Sequence, residues 1–269
     1  MAELSGFRAV VLDLDGTLAG ADHQVSRFAQ ETVRRLAATG VRVVISTGRS
    51  ADNALRLARA MGTGTPVVSA NGAVVADPTG RRLKVVELEP STLEHYLTLA
   101  DQADLDAMIW TADRLITAGP GLITELMALV GEYPVELAPR AEWPAAGVIK
   151  VLMAAAPQVL DNLDLSAYPL VQRSLSHFIE ATAPTARKDL TLAWLLKHLG
   201  VDPAQTIAFG DAETDLASLT LAGLGVAPAN ATPSVRAGAD LVIGHNGDDA
   251  VARFLNNGFD LGVPDSPAL

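Results

Sequence analysis

Four carboxylates sit where their spacing could do chemistry. Asp13 and Asp15 end the apolar run Ala9-Val-Val-Leu12, and Asp211 and Asp215 follow a second run, Thr206-Ile-Ala-Phe209. A short β-branched run that stops at a turn signal reads as a buried strand. Side chains at i and i+2 of a strand share a face, so Asp13 and Asp15 are expected to project together from its carboxyl end, with Gly16 permitting a sharp exit. In open α/β sheets ligands bind at that end. Close carboxylates repel one another unless a cation lies between them, which points to a hard metal such as Mg²⁺. The plainer alternative is an Asx-turn at the strand end. A calcium loop is excluded, because it needs Gly sixth and Glu twelfth, whereas counting from Asp13 places Gly fourth and Gln24 twelfth.

A second polar cluster, Ser46-Thr47-Gly48-Arg49, ends the strand-like run Val41 to Ser46. A hydroxyl, a glycine exposing backbone N–H groups and a helix starting near Ser50 together make an anion site, although Ser50 could equally serve only as a helix cap. Further on, Asn71-Gly72 is a strong tight-turn signal and is open to a purely structural reading.

Strand-like and helix-like segments alternate around these clusters, which is the pattern of βα units on a parallel sheet. Ser26 to Thr39 carries a helical apolar stripe stopped by Gly40, and Ser50 to Met61 is the next helix. Between about Arg81 and Thr182 the pattern changes. Ser91-Thr-Leu-Glu94 has the form of a capping box, a second helix is expected over Leu122 to Val130, and strands near 107–111, 114–117, 148–154, 170–175 and 178–181. Arg114, Arg173 and His177 are polar residues of this stretch that could reach a substrate, each with a solvated-surface reading beside it. Core-like alternation resumes at Arg187-Lys188. The segment from Asn256 is rich in Gly, Pro and Asp and is expected to fray.

In order along the chain, Asp13-Leu-Asp15-Gly-Thr17, Ser46-Thr-Gly-Arg49, Lys188 opening a helix, and Gly210-Asp211-Ala-Glu-Thr-Asp215 resemble the four motifs of haloacid dehalogenase-like hydrolases. Asn71-Gly-Ala73, Gly225 to Ala231 and Asn246 to Val251 are similar to stretches of the Cof-like phosphatase branch. The resemblance implies a Rossmann-like α/β core over 1–80 and 183–269 with an inserted α+β cap over 81–182. It implies that Asp13 is the nucleophile and Asp15 the general acid/base, and that Thr47, Gly48 and Lys188 hold phosphate. Mg²⁺ would be held by Asp13, the Asp15 carbonyl and Asp211, with Asp215, Arg49, Asn71, Thr214 and Asn230 in support. The chain departs from the usual fourth motif at Ala212, which stands for Gly, and Thr214, which stands for Asn. Ala212 is costly if φ must be positive there.

The implied activity is hydrolysis of small phosphate monoesters, sugar phosphates first among them, through an aspartyl-phosphate. A phosphotransferase or sugar phosphomutase could use the same core, and a non-catalytic phosphate-ligand binder is the alternative from a different class. A dinucleotide-binding reading fails because Gly62-Thr-Gly64 lacks a third glycine, and no phosphate-binding P-loop or serine-hydrolase elbow occurs.

Composition agrees. At 269 residues with 49% hydrophobic content the chain can bury a sizeable core. Its net charge of -11 argues against nucleic-acid and anionic-membrane partners. With no cysteine, thiolate chemistry is absent. No apolar stretch approaches about 18 residues, since even Val148 to Ala156 is interrupted by Lys150, and no leader pattern opens the chain. The default expectation is a soluble cytoplasmic protein.

Overall fold

The computed structural model describes residues 4–132 and 134–264. The chain opens with β1 (Ala9–Leu12), α1 (Arg27–Ala38), β2 (Arg42–Ile45), α2 (Ala51–Ala60) and β3 (Val67–Ser69). β4 (Val74–Ala76) and β5 (Arg82–Val85) complete an antiparallel three-stranded sheet with β3. An α+β stretch follows: α3 (Pro90–Gln102), β6 (Asp106–Thr111), β7 (Leu115–Thr117), α4 (Leu122–Leu129), β8 (Val135–Leu137), β9 (Val148–Ala154), α5 (Pro157–Asp161), β10 (Val171–Leu175) and β11 (Phe178–Thr182). The chain then returns through α6 (Lys188–Leu199), β12 (Thr206–Phe209), α7 (Glu213–Leu221), β13 (Leu224–Ala227), α8 (Pro233–Gly238), β14 (Leu241–Val242) and α9 (Ala250–Gly258).

The central sheet is parallel, in the order β14-β13-β12-β1-β2, with a parallel bridge from Ser46 to Val68 joining β3 to its edge. β1 is the middle of this arrangement, paired to β12 on one side and β2 on the other, and all four of its residues are buried. Alternation divides them between two apolar layers, as strand geometry requires. Val10 and Leu12 join the layer that holds Val33 and Leu36 of α1 and Leu255 of α9, while Ala9 and Val11 join Leu192, Leu195 and Leu196 of α6. Burial on both faces is why these strands read as unbroken apolar runs rather than alternating ones.

The inserted sheet runs β10-β11-β9-β6-β7-β8, antiparallel except where β7 meets β8. The fold is therefore a mixed α/β one, a parallel core with an inserted α+β cap. Sequence reasoning found most of these elements but assigned no strand or helix to β4, β5, β8, α5, β13, α8, β14 or α9. α3 starts at Pro90 and takes Glu89 as its N-cap with no side-chain cap bond, so Ser91 lies inside the helix rather than capping it; proline fits the first turn, where no N–H is required. The segment from Asn256 is also better ordered than expected. α9 continues to Gly258, and the Asn256 side chain donates to the Val263 carbonyl (3.0 Å) and accepts from its N–H (2.9 Å). Residues 265–269 of that segment lie outside the described residues. Among the described residues, no helix is long and apolar enough to cross a membrane.

Candidate active site

Where β1 ends at Leu12 the backbone turns at once, with the Thr17 and Ala19 N–H groups both donating to the Leu14 carbonyl. The turn needs Gly16, whose φ is +82°, and a Cβ there would lie 2.2 Å from the Asp211 carboxylate. Asp13 and Asp15 open on the same cavity, yet the turn gives them different partners. The Asp13 Oδ1 accepts from Lys188 Nζ at 2.7 Å, and the same ammonium donates to Asp215 Oδ1 at 2.7 Å. Asp15 accepts from Arg49 Nε (2.8 Å) and Nη2 (2.6 Å), and its Oδ1 lies 2.8 Å from His23 Nδ1.

The carboxylates that gather are Asp13, Asp211 and Asp215, with one oxygen from each within 4.8 Å of the others. Asp211 sits just past β12 and accepts from Thr17 Oγ1 at 2.8 Å. Asp215 lies in the first turn of α7 and accepts from the Ala212 N–H at 3.1 Å. The Asp15 side chain is turned away to Arg49 and His23, which leaves its carbonyl as the group it could offer a metal.

Charge in this cluster is unbalanced, since Lys188 is shared by two acids and Asp211 has only a hydroxyl. Burial pushes the Asp13 carboxyl well above its ordinary value, against the pull of Lys188. Burial likewise pushes Asp211 up to about 6. Lys188 is held protonated: burial opposes its charge, but Asp13 and then Asp215 outweigh burial and raise its pKa. Burial would also raise Asp15, yet hydrogen bonds from Arg49 and His23 bring it down to about 2. Three crowded acids, two of them reluctant to ionise, fit a divalent cation with oxygen ligands such as Mg²⁺.

The loop after β2 faces this cluster. Thr47 is buried, and its Oγ1 accepts from the Arg49 N–H at 3.2 Å. Gly48 lines the cavity, and a Cβ there would lie 2.9 Å from Asn71 Oδ1. Asn71 adopts left-handed backbone at φ 55° in the turn between β3 and β4, and its amide donates to Glu180 of the cap. Asn230 donates to the Gly16 carbonyl at 2.7 Å and so braces the first turn. Thr214 lines the cavity. Ala212 has φ −106°, ordinary extended backbone, so the missing glycine costs nothing there.

Four participants were not singled out from sequence. His23 holds Asp15, and Glu132 accepts from both the N–H (2.7 Å) and the hydroxyl of Ser50. Lys150 and Glu180 form a buried pair at 2.7 Å in the cap. A signal did exist for Lys150, the single charge inside the apolar run of β9. Of the three cap residues considered from sequence, Arg173 lines the cavity; Arg114 pairs with Glu136 at the surface and His177 bonds Ser176.

A parallel α/β sheet with crowded acids at its strand ends defines a class of hydrolase. The profile described as haloacid dehalogenase-like hydrolase matches residues 10–255, and the chain belongs to that family. It is 30% identical to a phosphoglycolate phosphatase of Methanopyrus kandleri, over 91% of this chain and 94% of that one. It is 31% identical to a 5-amino-6-(5-phospho-D-ribitylamino)uracil phosphatase of Bacillus subtilis, over 94% and 97%. A solved haloacid dehalogenase-like hydrolase from Bacteroides thetaiotaomicron shares the fold, with TM-score 0.81 at 24% identity, covering 93% of this chain and 99% of that one.

Proposed function

We propose that the protein is a Mg²⁺-dependent phosphatase that hydrolyses small phosphate monoesters, sugar phosphates foremost, through an aspartyl-phosphate. The observation that carries this is the buried Asp13–Lys188 contact, set beside Asp211 and Asp215 and opposite the Thr47–Gly48 loop. The names of the relatives agree, since those proteins are phosphatases.

Asp13 attacks phosphorus in line, its carboxylate oxygen forming the new P–O bond while the ester P–O bond breaks. Lys188 orients the nucleophile and, with Thr47 and Gly48, receives the phosphoryl oxygens. Asp15 protonates the leaving alkoxide and then takes a proton from the water that hydrolyses the acyl phosphate. Its contacts with Arg49 and His23 keep it ionised, the form suited to activating water; the acid step requires Asp15 to take up a proton from solvent as it exchanges those partners for the leaving oxygen. Mg²⁺, held by Asp13, Asp211 and the Asp15 carbonyl with Asp215 in support, would supply charge neutralisation on the transferring group.

The cap closes the cavity from above and excludes water. In this reading the cap, expected over 81–182, starts a few residues later, because β5 pairs with β4, and it ends with β11. The departures at Ala212 and Thr214 would favour the non-catalytic alternative, but Ala212 adopts extended backbone that needs no glycine.

Phosphate release from an aryl phosphate and a panel of sugar phosphates, with Mg²⁺ or excess chelator, tests the proposal. Release is expected to require Mg²⁺ and to vanish in Asp13→Asn. Release that survives either change would sink it.

A further inference from the structure

The cavity measures about 750 Å³, so most of it is open to the leaving group rather than the phosphate. Its roof belongs to the cap. Trp110, Met127, Leu152 and Phe178 give it an apolar surface, and Glu132, Lys150 and Glu180 are its buried charges. Glu180 binds Lys150 at 2.7 Å and also accepts from Asn71. Lys150 further donates to the Gly48 carbonyl at 3.0 Å and lies 4.4 Å from the centroid of the Trp110 ring. The buried Trp110 Nε1 donor has no partner among the described residues.

We propose that this roof selects by charge, taking phosphate esters whose leaving group is uncharged and has an apolar face, and rejecting those that carry a second anionic group. The inference rests on the phosphatase reading and narrows its substrate.

Every buried cation on the cavity is already committed. Lys188 serves Asp13 and Asp215, Arg49 serves Asp15, and Lys150 serves Glu180. Arg173 lies at the exposed rim and pairs with Asp161 at 3.0 Å. Seven acidic and four basic side chains line the cavity, so even with a divalent cation no positive charge is left over once a phosphate dianion enters. A carboxylate or second phosphate on the leaving group would be buried beside Glu132 and Glu180 without a partner, one of the most unfavourable placements a protein interior offers. A hydroxyl or ring N–H meets acceptors there, and a ring or hydrocarbon face meets Trp110 and Phe178. Phosphoglycolate and sugar bisphosphates are on the rejected side, despite the 30% identity to a phosphoglycolate phosphatase.

Phenyl phosphate and para-carboxyphenyl phosphate differ by one carboxylate and read the selection directly in the Mg²⁺-loaded wild type. The expected kcat/KM favours the phenyl ester by about tenfold or more. Equal values, or a preference for the carboxylated ester, overturn the proposal. Benzylphosphonate and para-carboxybenzylphosphonate, which cannot be hydrolysed, repeat the comparison as binding measured by calorimetry. The same preference in Kd with no turnover of either ester upholds charge selection and refutes the phosphatase reading alone; equal Kd values refute charge selection whatever the turnover. Glu180→Gln keeps an acceptor for Asn71 and removes one roof charge, so the preference should narrow by roughly threefold or more. A preference unchanged in both Glu180→Gln and Glu132→Gln would show that the roof is not its source.

Discussion

Two buried ammonium groups line the cavity, and they are matched differently. Lys150 in the roof has one carboxylate, Glu180, and a carbonyl, Gly48, so its charge is answered once. Lys188 on the floor answers two carboxylates while a third, Asp211, sits within reach of the same cluster. The roof pair is matched without a ligand. The floor is short of positive charge, and that deficit is what a divalent metal would resolve. Burial first, and the neighbouring carboxylates after it, raise the pKa values of Asp13 and Asp211.

The sharpest break in this comparison is between the two acids of the first motif. Asp13→Asn should cost about 10⁴-fold or more in phosphate release, because the proposed nucleophile is gone. Asp15→Asn should cost about 10²- to 10⁴-fold and let phosphorylated protein accumulate, detectable by intact mass. Equal residual rates without a trapped intermediate would refute the division of roles.

Next in size is the roof pair. Lys150→Met strands Glu180 in a buried site and should lower unfolding stability by about 3–5 kcal/mol in urea titration. Adding Glu180→Leu should recover most of that loss, since a matched pair can be replaced by apolar packing. Recovery in the double variant marks the roof as self-contained; a further loss would erase the contrast with the floor.

Stability against pH separates the acids on the floor. Asp211, with its pKa raised from about 4 in the unfolded chain to about 6, favours folding while protonated. Its contribution is present below pH 4 and lost as pH rises through 6, about 3 kcal/mol in metal-free protein. Asp15 runs the other way: lowered to about 2, it stabilises above pH 4, and roughly 2 kcal/mol is lost as pH falls through 2. Mg²⁺ should flatten the first limb and leave the second.

Stabilisation by Mg²⁺ itself is of similar size, about 2.7 kcal/mol at a hundredfold excess over Kd. Asp211→Asn should reduce it in a thermal shift, whereas Glu180→Gln should not.

The floor was legible in the sequence because each of its acids follows a strand buried on both faces, and such strands announce themselves as apolar runs ending in Asp13, Thr47 or Asp211. The sharing of partners was less legible. Strand periodicity put Asp13 and Asp15 on one face, but β1 stops at Leu12 and the turn sends the two carboxylates to Lys188 and to Arg49 with His23. The roof was almost silent. Glu180 and Lys150 meet because β11 lies antiparallel to β9 in one register, and Glu132 reaches Ser50 from a loop 82 residues away. No local pattern encodes such pairings.

The pairing of β1 with β12 also bears on how the protein is made. Ala9 lies against Thr206, and Thr17 binds Asp211 across 194 residues. Contacts of such long range form late, after the loop-closure entropy has been met. During synthesis β1 and β2 emerge first and the whole inserted sheet follows, all before Lys188 leaves the ribosome. The nascent chain therefore carries Asp13 for most of its synthesis without Lys188, Asp211 or Asp215, and the carboxylate cluster comes into existence only when the C-terminal segment docks.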